Sequence, residues 1–169
     1  MRSRLRAACW MLAVVSASTG AAAAERVAVF EPELYDTSGE GTKPEQQHRL
    51  ALLGEELRRA LAASGRYEVV DIAPVARRVA EGPPLRTCPP CASDAAAALG
   101  ADLGLVTVVQ KVSNLILSIT IVMREAGPEG AVRAMHSADI RGNTDESWLH
   151  GLRWLLRNRL LPTQAEAPR

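Results

Sequence analysis

Two cysteines separated by two prolines, Cys88-Pro89-Pro90-Cys91, form the tightest spacing in this sequence that could carry chemistry. Such a pair serves as a local disulfide, as a redox couple or as half of a metal site. Thioredoxin-type use needs the first cysteine at a helix N-terminus directly behind a strand, where the dipole lowers the thiol pKa. Segment 82–87 is Pro-rich instead, with no strand signal close by. Haem attachment needs His after the second cysteine, and Ala92 stands there. Zinc needs two more ligands, and His48, His136 and His150 have no paired spacing. A quiet Cys88–Cys91 disulfide is expected, with a redox-active pair as the alternative, then metal binding or free thiols. Closing so short a ring contributes at most about 2 kcal/mol.

No nucleophile elbow, phosphate-binding glycine loop or dinucleotide fingerprint occurs. His136 alternates with Val132, Ala134, Ala138 and Ile140 and reads as a core histidine. His48 and His150 read as surface, and Glu55-Glu56 as ordinary helix surface. Trp154 falls off the apolar stripe of its helix, beside Arg153 and Arg157, where it would anchor a partner or pack on a loop. The sequence thus favours a non-catalytic protein with no metal and no cofactor.

The elements that position these residues follow from periodicity. Val27–Phe30 is a continuous apolar run, as in an inner strand. Residues 33–45, with two glycines and a proline, read as a long exposed loop. Thr42-Lys43-Pro44-Glu45 has capping-box spacing, and Leu50, Leu53, Leu57 and Leu61 follow at helical intervals until Ser64-Gly65. Tyr67–Val70 is a second strand, Pro74 to about Glu81 a short helix, and Ser93 the cap of an Ala-rich helix ending at Gly100. Strands at 103–112, 115–124 and 131–141 come next, the middle one turning Leu115, Leu117, Ile119, Ile121 and Met123 to the core. The last helix starts at Asn143 or Thr144 and runs to about Leu161, with Trp148, Leu152, Leu155, Leu156 and Leu160 on its buried stripe. The order β-α-β-α-α-β-β-β-α predicts an α/β fold, a three-layer or two-layer sandwich with a mixed sheet of about five strands.

That topology gathers polar residues at one end of the sheet. If the last three strands form a meander and the first runs parallel to the strand starting at Leu103, the 113–114 turn, Arg141, the last helix's N-terminus and the 33–45 loop share a rim. Gln110, Lys111, Asn114, Asp139, Arg141 and Asn143 line it, with Trp154 as a further candidate contact, in the place where α/β sheets usually bind ligands. In the plainer reading Asn114 makes a turn, Asn143 caps the helix, and Asp139 and Arg141 form a cross-strand charge set.

Residues 1–24 carry Arg2, Arg4 and Arg6, then an apolar run, then Ala22-Ala23-Ala24, the grammar of a secretory signal cleaved after Ala24. Cys9 leaves with it. Of the chain's 169 residues, 20 are Lys or Arg and 19 Asp or Glu; losing three arginines takes the formal charge from +1 to −2. With no dense basic cluster, nucleic acid is excluded as an electrostatic partner, and no stretch after residue 24 is long and apolar enough to span a membrane. Residues 25–161 are expected as a single domain and 162–169 as a polar tail.

Residues 64–71 (SGRYEVVD), 110–117 (QKVSNLIL) and 139–148 (DIRGNTDESW) resemble the secreted bacterial family of unknown function 3280, also labelled 2380. The resemblance spans nearly the whole mature chain and implies a periplasmic address without an activity. A more distant fold-level likeness joins the first strand, the helix and SGRYEVVD to the amino-terminal domain of periplasmic TolB. The signal sequence, the compact α/β pattern and the missing catalytic set point to a periplasmic binding or envelope-assembly accessory module that acts on an envelope protein through the rim. The alternatives are a thiol-disulfide oxidoreductase and a small-ligand-binding accessory of a periplasmic oxidation system. Oligomeric state is not legible.

Overall fold

The computed structural model describes residues 23–162. The expected signal peptide and Cys9 lie outside them except for Ala23 and Ala24, as does the tail beyond Pro162. Among the described residues are six strands, β1 (Glu25–Val29), β2 (Glu33–Asp36), β3 (Tyr67–Val70), β4 (Leu103–Lys111), β5 (Ile116–Glu125) and β6 (Val132–Arg141). The helices are α1 (Pro44–Ala63), α2 (Ala73–Glu81), α3 (Pro89–Ala98) and α4 (Asp145–Leu155). A 3-10 turn at Leu85–Thr87 precedes α3, and a π-turn at Leu156–Leu160 extends α4.

The sheet order is β3-β1-β4-β5-β6, and β2 pairs with the far half of β4, continuing the line of β1. β1 runs parallel to β3 and β4, while β4, β5 and β6 form an antiparallel meander. This is the mixed α/β sandwich that the periodicity predicts. On one face α1 and α4 bury Leu53, Leu57, Leu61, Trp148 and Leu152 against Val27, Leu105, Ile119 and Ile121. Burying a side chain of this size contributes about 1.5–3 kcal/mol, so this face holds the main core. On the other face α2, the 3-10 turn and α3 cover Ala28, Phe30 and Val106. Alanines let α3 lie close there: a Cβ on Gly104 would sit 3.2 Å from the Ala92 carbonyl and from the Ala96 Cβ. That second layer stops at β4 and leaves the same face of β5 and β6 largely uncovered, with Met135 64% exposed.

Several details differ from expectation. Glu33–Asp36 is a strand, not loop, because β4 offers it a parallel edge that is far away in sequence. Helix α1 is capped one residue later than Thr42: Gln46 Oε1 accepts from the Lys43 backbone N–H at 2.8 Å, and Pro44 fills the first turn. Helix α3 begins four residues before Ser93, which is buried inside it and donates to the Pro89 carbonyl. The cap position belongs to Cys88, so the pair Cys88–Cys91 forms its disulfide across the first turn of a helix. Leu115 falls in the tight turn before β5 and is 74% exposed. His136 is only half-buried, since β6 is an edge strand and α4 covers its inner face incompletely.

Candidate functional site

The structure places the candidate rim residues in two sets with different chemistry, with Gln110 apart from both. The first is a closed polar brace. Lys111 ends β4 with its side chain 0% exposed, and its ammonium donates to Glu40 (2.8 Å), Ser38 (3.0 Å) and Asp36 (3.3 Å). The Glu40 hydrogen bond is the main reason that the Lys111 pKa rises above its usual value, against the opposing pull of burial. Asp36 is held below the ordinary carboxylate range chiefly by the Ser38 hydroxyl, and Glu40 chiefly by Lys111. A lysine so placed stays charged and out of contact with solvent, so it serves as neither base nor nucleophile.

The brace continues through side-chain amides. Asn114 Nδ2 donates to both Glu40 oxygens, at 3.0 and 3.1 Å, and Asn114 Oδ1 accepts from Asn143 Nδ2 at 2.9 Å. Asn143 Oδ1 then accepts from Arg49 Nη1 (3.0 Å) and from the indole N–H of Trp148 (3.1 Å). Arg49 reaches on to Asp145 at 2.8 Å. Asn143 is free for this because Thr144, not Asn143, caps α4: its hydroxyl accepts from Ser147 N–H and Ser147 Oγ accepts from Thr144 N–H. The network ties the ends of β2, β4 and β6 to the starts of α1 and α4. Gln110, one residue before Lys111, points to the opposite face of the sheet and does not join it.

A second ionic tie was invisible in sequence. Glu56 is buried, not surface; it accepts from Arg153 of α4 at 2.8 Å and pairs with Arg59 at 2.6 Å. The Arg153 hydrogen bond is the largest of the influences that lower its pKa to about 2. No sequence signal separates it from Glu55, because the partner on α4 is remote.

The second part of the rim is open. Asp139 and Arg141 line a groove of about 420 Å³ between the edge of β6 and the polar side of α4, together with Thr144, Glu146, Ser147 and His150. It continues into a space of about 310 Å³ reaching Ser137 and Trp154, and Asp139, His150 and Gly151 line both. Residues Ser137 to Arg141 all line the two spaces, although successive side chains of a strand point to opposite faces. Only the strand's edge shows such a set. Among the described residues β6 pairs with β5 alone, and no other strand lies along its outer edge. Opposite Asp139 and Arg141 on β5 stand Ser118 and Ile116, so the expected cross-strand charge set is absent. Helix α4 approaches β6 closely because residue 151 is glycine: a Cβ there would lie 2.9 Å from Ile140 Cγ1. Trp154 is 38% exposed, with the Arg159 guanidinium 5.8 Å from its ring centre.

Among the described residues no three His, Cys, Asp or Glu side chains come together as a metal site, and no helix is long and apolar enough to cross a membrane.

Comparison with known proteins places the fold. The sequence profile of DUF3280, described as a protein of unknown function (DUF2380), matches residues 25–160. No curated protein matches the sequence. The LpoB C-terminal domain from Salmonella enterica superposes with a TM-score of 0.52 at 16% identity, covering 73% of this chain and 87% of that one. The LpoB C-terminal domain from Escherichia coli gives 0.52 at 17% identity over 72% and 85%. At such identity the likeness is one of fold.

Proposed function

We propose that this chain, which belongs to the DUF3280 family, is a non-catalytic binding module of the cell envelope that receives an extended segment of a partner protein along the edge of β6. Residues 1–24 export it and are removed after Ala24, and residues 25–161 act as one domain. The observation that carries the reading is the run Ser137 to Arg141 along one groove, with an unpaired strand edge below and α4 as a wall. Strand addition of this kind takes its affinity from backbone hydrogen bonds and its selectivity from side chains beside the strand. Asp139, Arg141, Glu146 and His150 would set that selectivity, and Trp154 would close the far end. The fully matched brace supports a non-catalytic role, since its one buried ammonium is already saturated.

A photo-crosslinker at position 150 in secreting cells tests this. One reproducible envelope-protein adduct should form and should disappear when Asp139→Lys and Arg141→Glu are combined; an unchanged adduct pattern would sink the proposal.

The position of Cys88 favours a second reading. As the cap of α3, a reduced Cys88 would meet the N-terminal dipole that stabilises a thiolate. Insulin reduction together with the pair's potential decides it: no turnover and a potential below about −300 mV mark a structural bridge.

A further inference from the structure

Where the second helical layer stops on β4 and leaves β5 largely bare lies a second groove, of about 500 Å³, on the side of the sheet away from α1 and α4. Its floor is Val108 and Val122, both partly buried, with Val106, buried under the helical layer, at its covered edge. One wall is the 3-10 turn and the start of α3, through Leu85 and Pro89; Met135 of β6 forms the other. The size falls within the range of small-molecule sites, about 300–1,000 Å³.

Thr120, opposite Val108, lies mid-groove with its hydroxyl already bonded to Ser137 at 3.0 Å; the other polar groups of the strands mark the ends. Arg124 stands at one end, opposite Gly104, and Gln110 at the other, opposite Ser118, with Tyr35 beside it. Six residues of β5 separate the two levels, about 20 Å at strand rise. The charge is one-sided: among the described residues, two arginines and no carboxylate line the groove. Arg86 is already matched, paired with Glu33 at 3.0 Å and stacked on Tyr35. Arg124 is not; it donates to the Gly130 carbonyl at 3.0 Å, which leaves most of a guanidinium's five N–H groups for a ligand.

We infer that this groove binds an anionic amphiphile, a monocarboxylate with an unbranched apolar tail, whose tail lies on the valine floor and whose carboxylate pairs with Arg124. The carboxylate gains a charge-assisted, two-point contact that matches the guanidinium fork, and the tail covers apolar surface that the second helical layer leaves bare. This face lies across the sheet from the β6–α4 groove, so either reading stands if the other fails.

Calorimetric titration of the protein with decanoate and with decylammonium, both below their micelle concentrations, tests the inference. Decanoate should bind at least about tenfold more tightly than decylammonium, and Arg124→Gln should weaken decanoate about tenfold while far-UV circular dichroism stays unchanged. Arg124→Lys should keep part of that loss from appearing, and Val122→Asp should abolish binding. Equal affinity for the two amphiphiles, no decanoate binding by the unaltered protein, or an Arg124→Gln variant that binds as before would overturn it. So would a concentration-dependent dimer in sedimentation that decanoate leaves intact and Val122→Asp dissolves, which would give this face to a second copy of the chain.

Discussion

Asn143 and Arg141 are two residues apart and carry similarly polar side chains, yet they belong to regions with opposite economies of hydrogen bonding. Around Asn143 the side-chain amide makes three bonds, and the chain of contacts runs without a break from Asp36 to Asp145. Beside Arg141 the groove residues have, among the described residues, neither a charged neighbour on β5 nor a strand along the edge of β6. Polarity at the end of a sheet is therefore not by itself a sign of a site. The sign is polarity left unmatched where backbone is also unmatched, because both can be satisfied only by something added.

The contrast breaks most sharply at Lys111. Lys111→Ala takes the buried ammonium from Asp36 and leaves Glu40 only the exposed Lys43 at 3.5 Å, and should cost about 3 kcal/mol in a urea titration; a loss below about 1 kcal/mol would mean that the brace is ornamental. Glu56 tests the tie between α1 and α4 by pH. Its folded pKa of about 2 lies below the ordinary 4.5, so its contribution is present above pH 4.5 and fades as the pH falls toward 2. Glu56→Gln should accordingly be less stable than the unaltered protein at pH 7, and the gap between their melting temperatures should close across that window.

Smaller effects sharpen the comparison. Replacing both Cys88 and Cys91 with Ser should lower stability by no more than about 2 kcal/mol, because a loop of four residues is released while the leucine stripes of α1 and α4 are untouched. Loss of a cooperative melt would show that the second core layer, in which Leu85 and Ala92 are buried, depends on the bridge. Smallest of all, Asp139→Asn and Arg141→Gln should each change stability by less than about 0.5 kcal/mol. A larger cost in thermal unfolding would move these residues from the open groove into the scaffold.

Much of the fold was legible because it depends on local periodicity. The 3–4 spacing of Leu50, Leu53, Leu57 and Leu61, the alternation through Leu117, Ile119, Ile121 and Met123, and the stripe of Trp148, Leu152, Leu155 and Leu156 mark core faces before any neighbour is known, and all of these are buried. What a short polar segment does depends on who lies beside it. Glu33–Asp36 has too few residues to declare itself a strand and becomes one because β4 has a free parallel edge. Glu56 is chemically identical to Glu55, and Arg153 and Arg59 alone make it a buried anchor. The rim was legible as a place, since strand order brings the chain's polar ends together. Its division into brace and groove was not, because hydrogen bonds among Lys111, Glu40, Asn114 and Asn143 join residues up to 74 positions apart, and only the folded chain decides which donors meet an acceptor and which are left facing solvent.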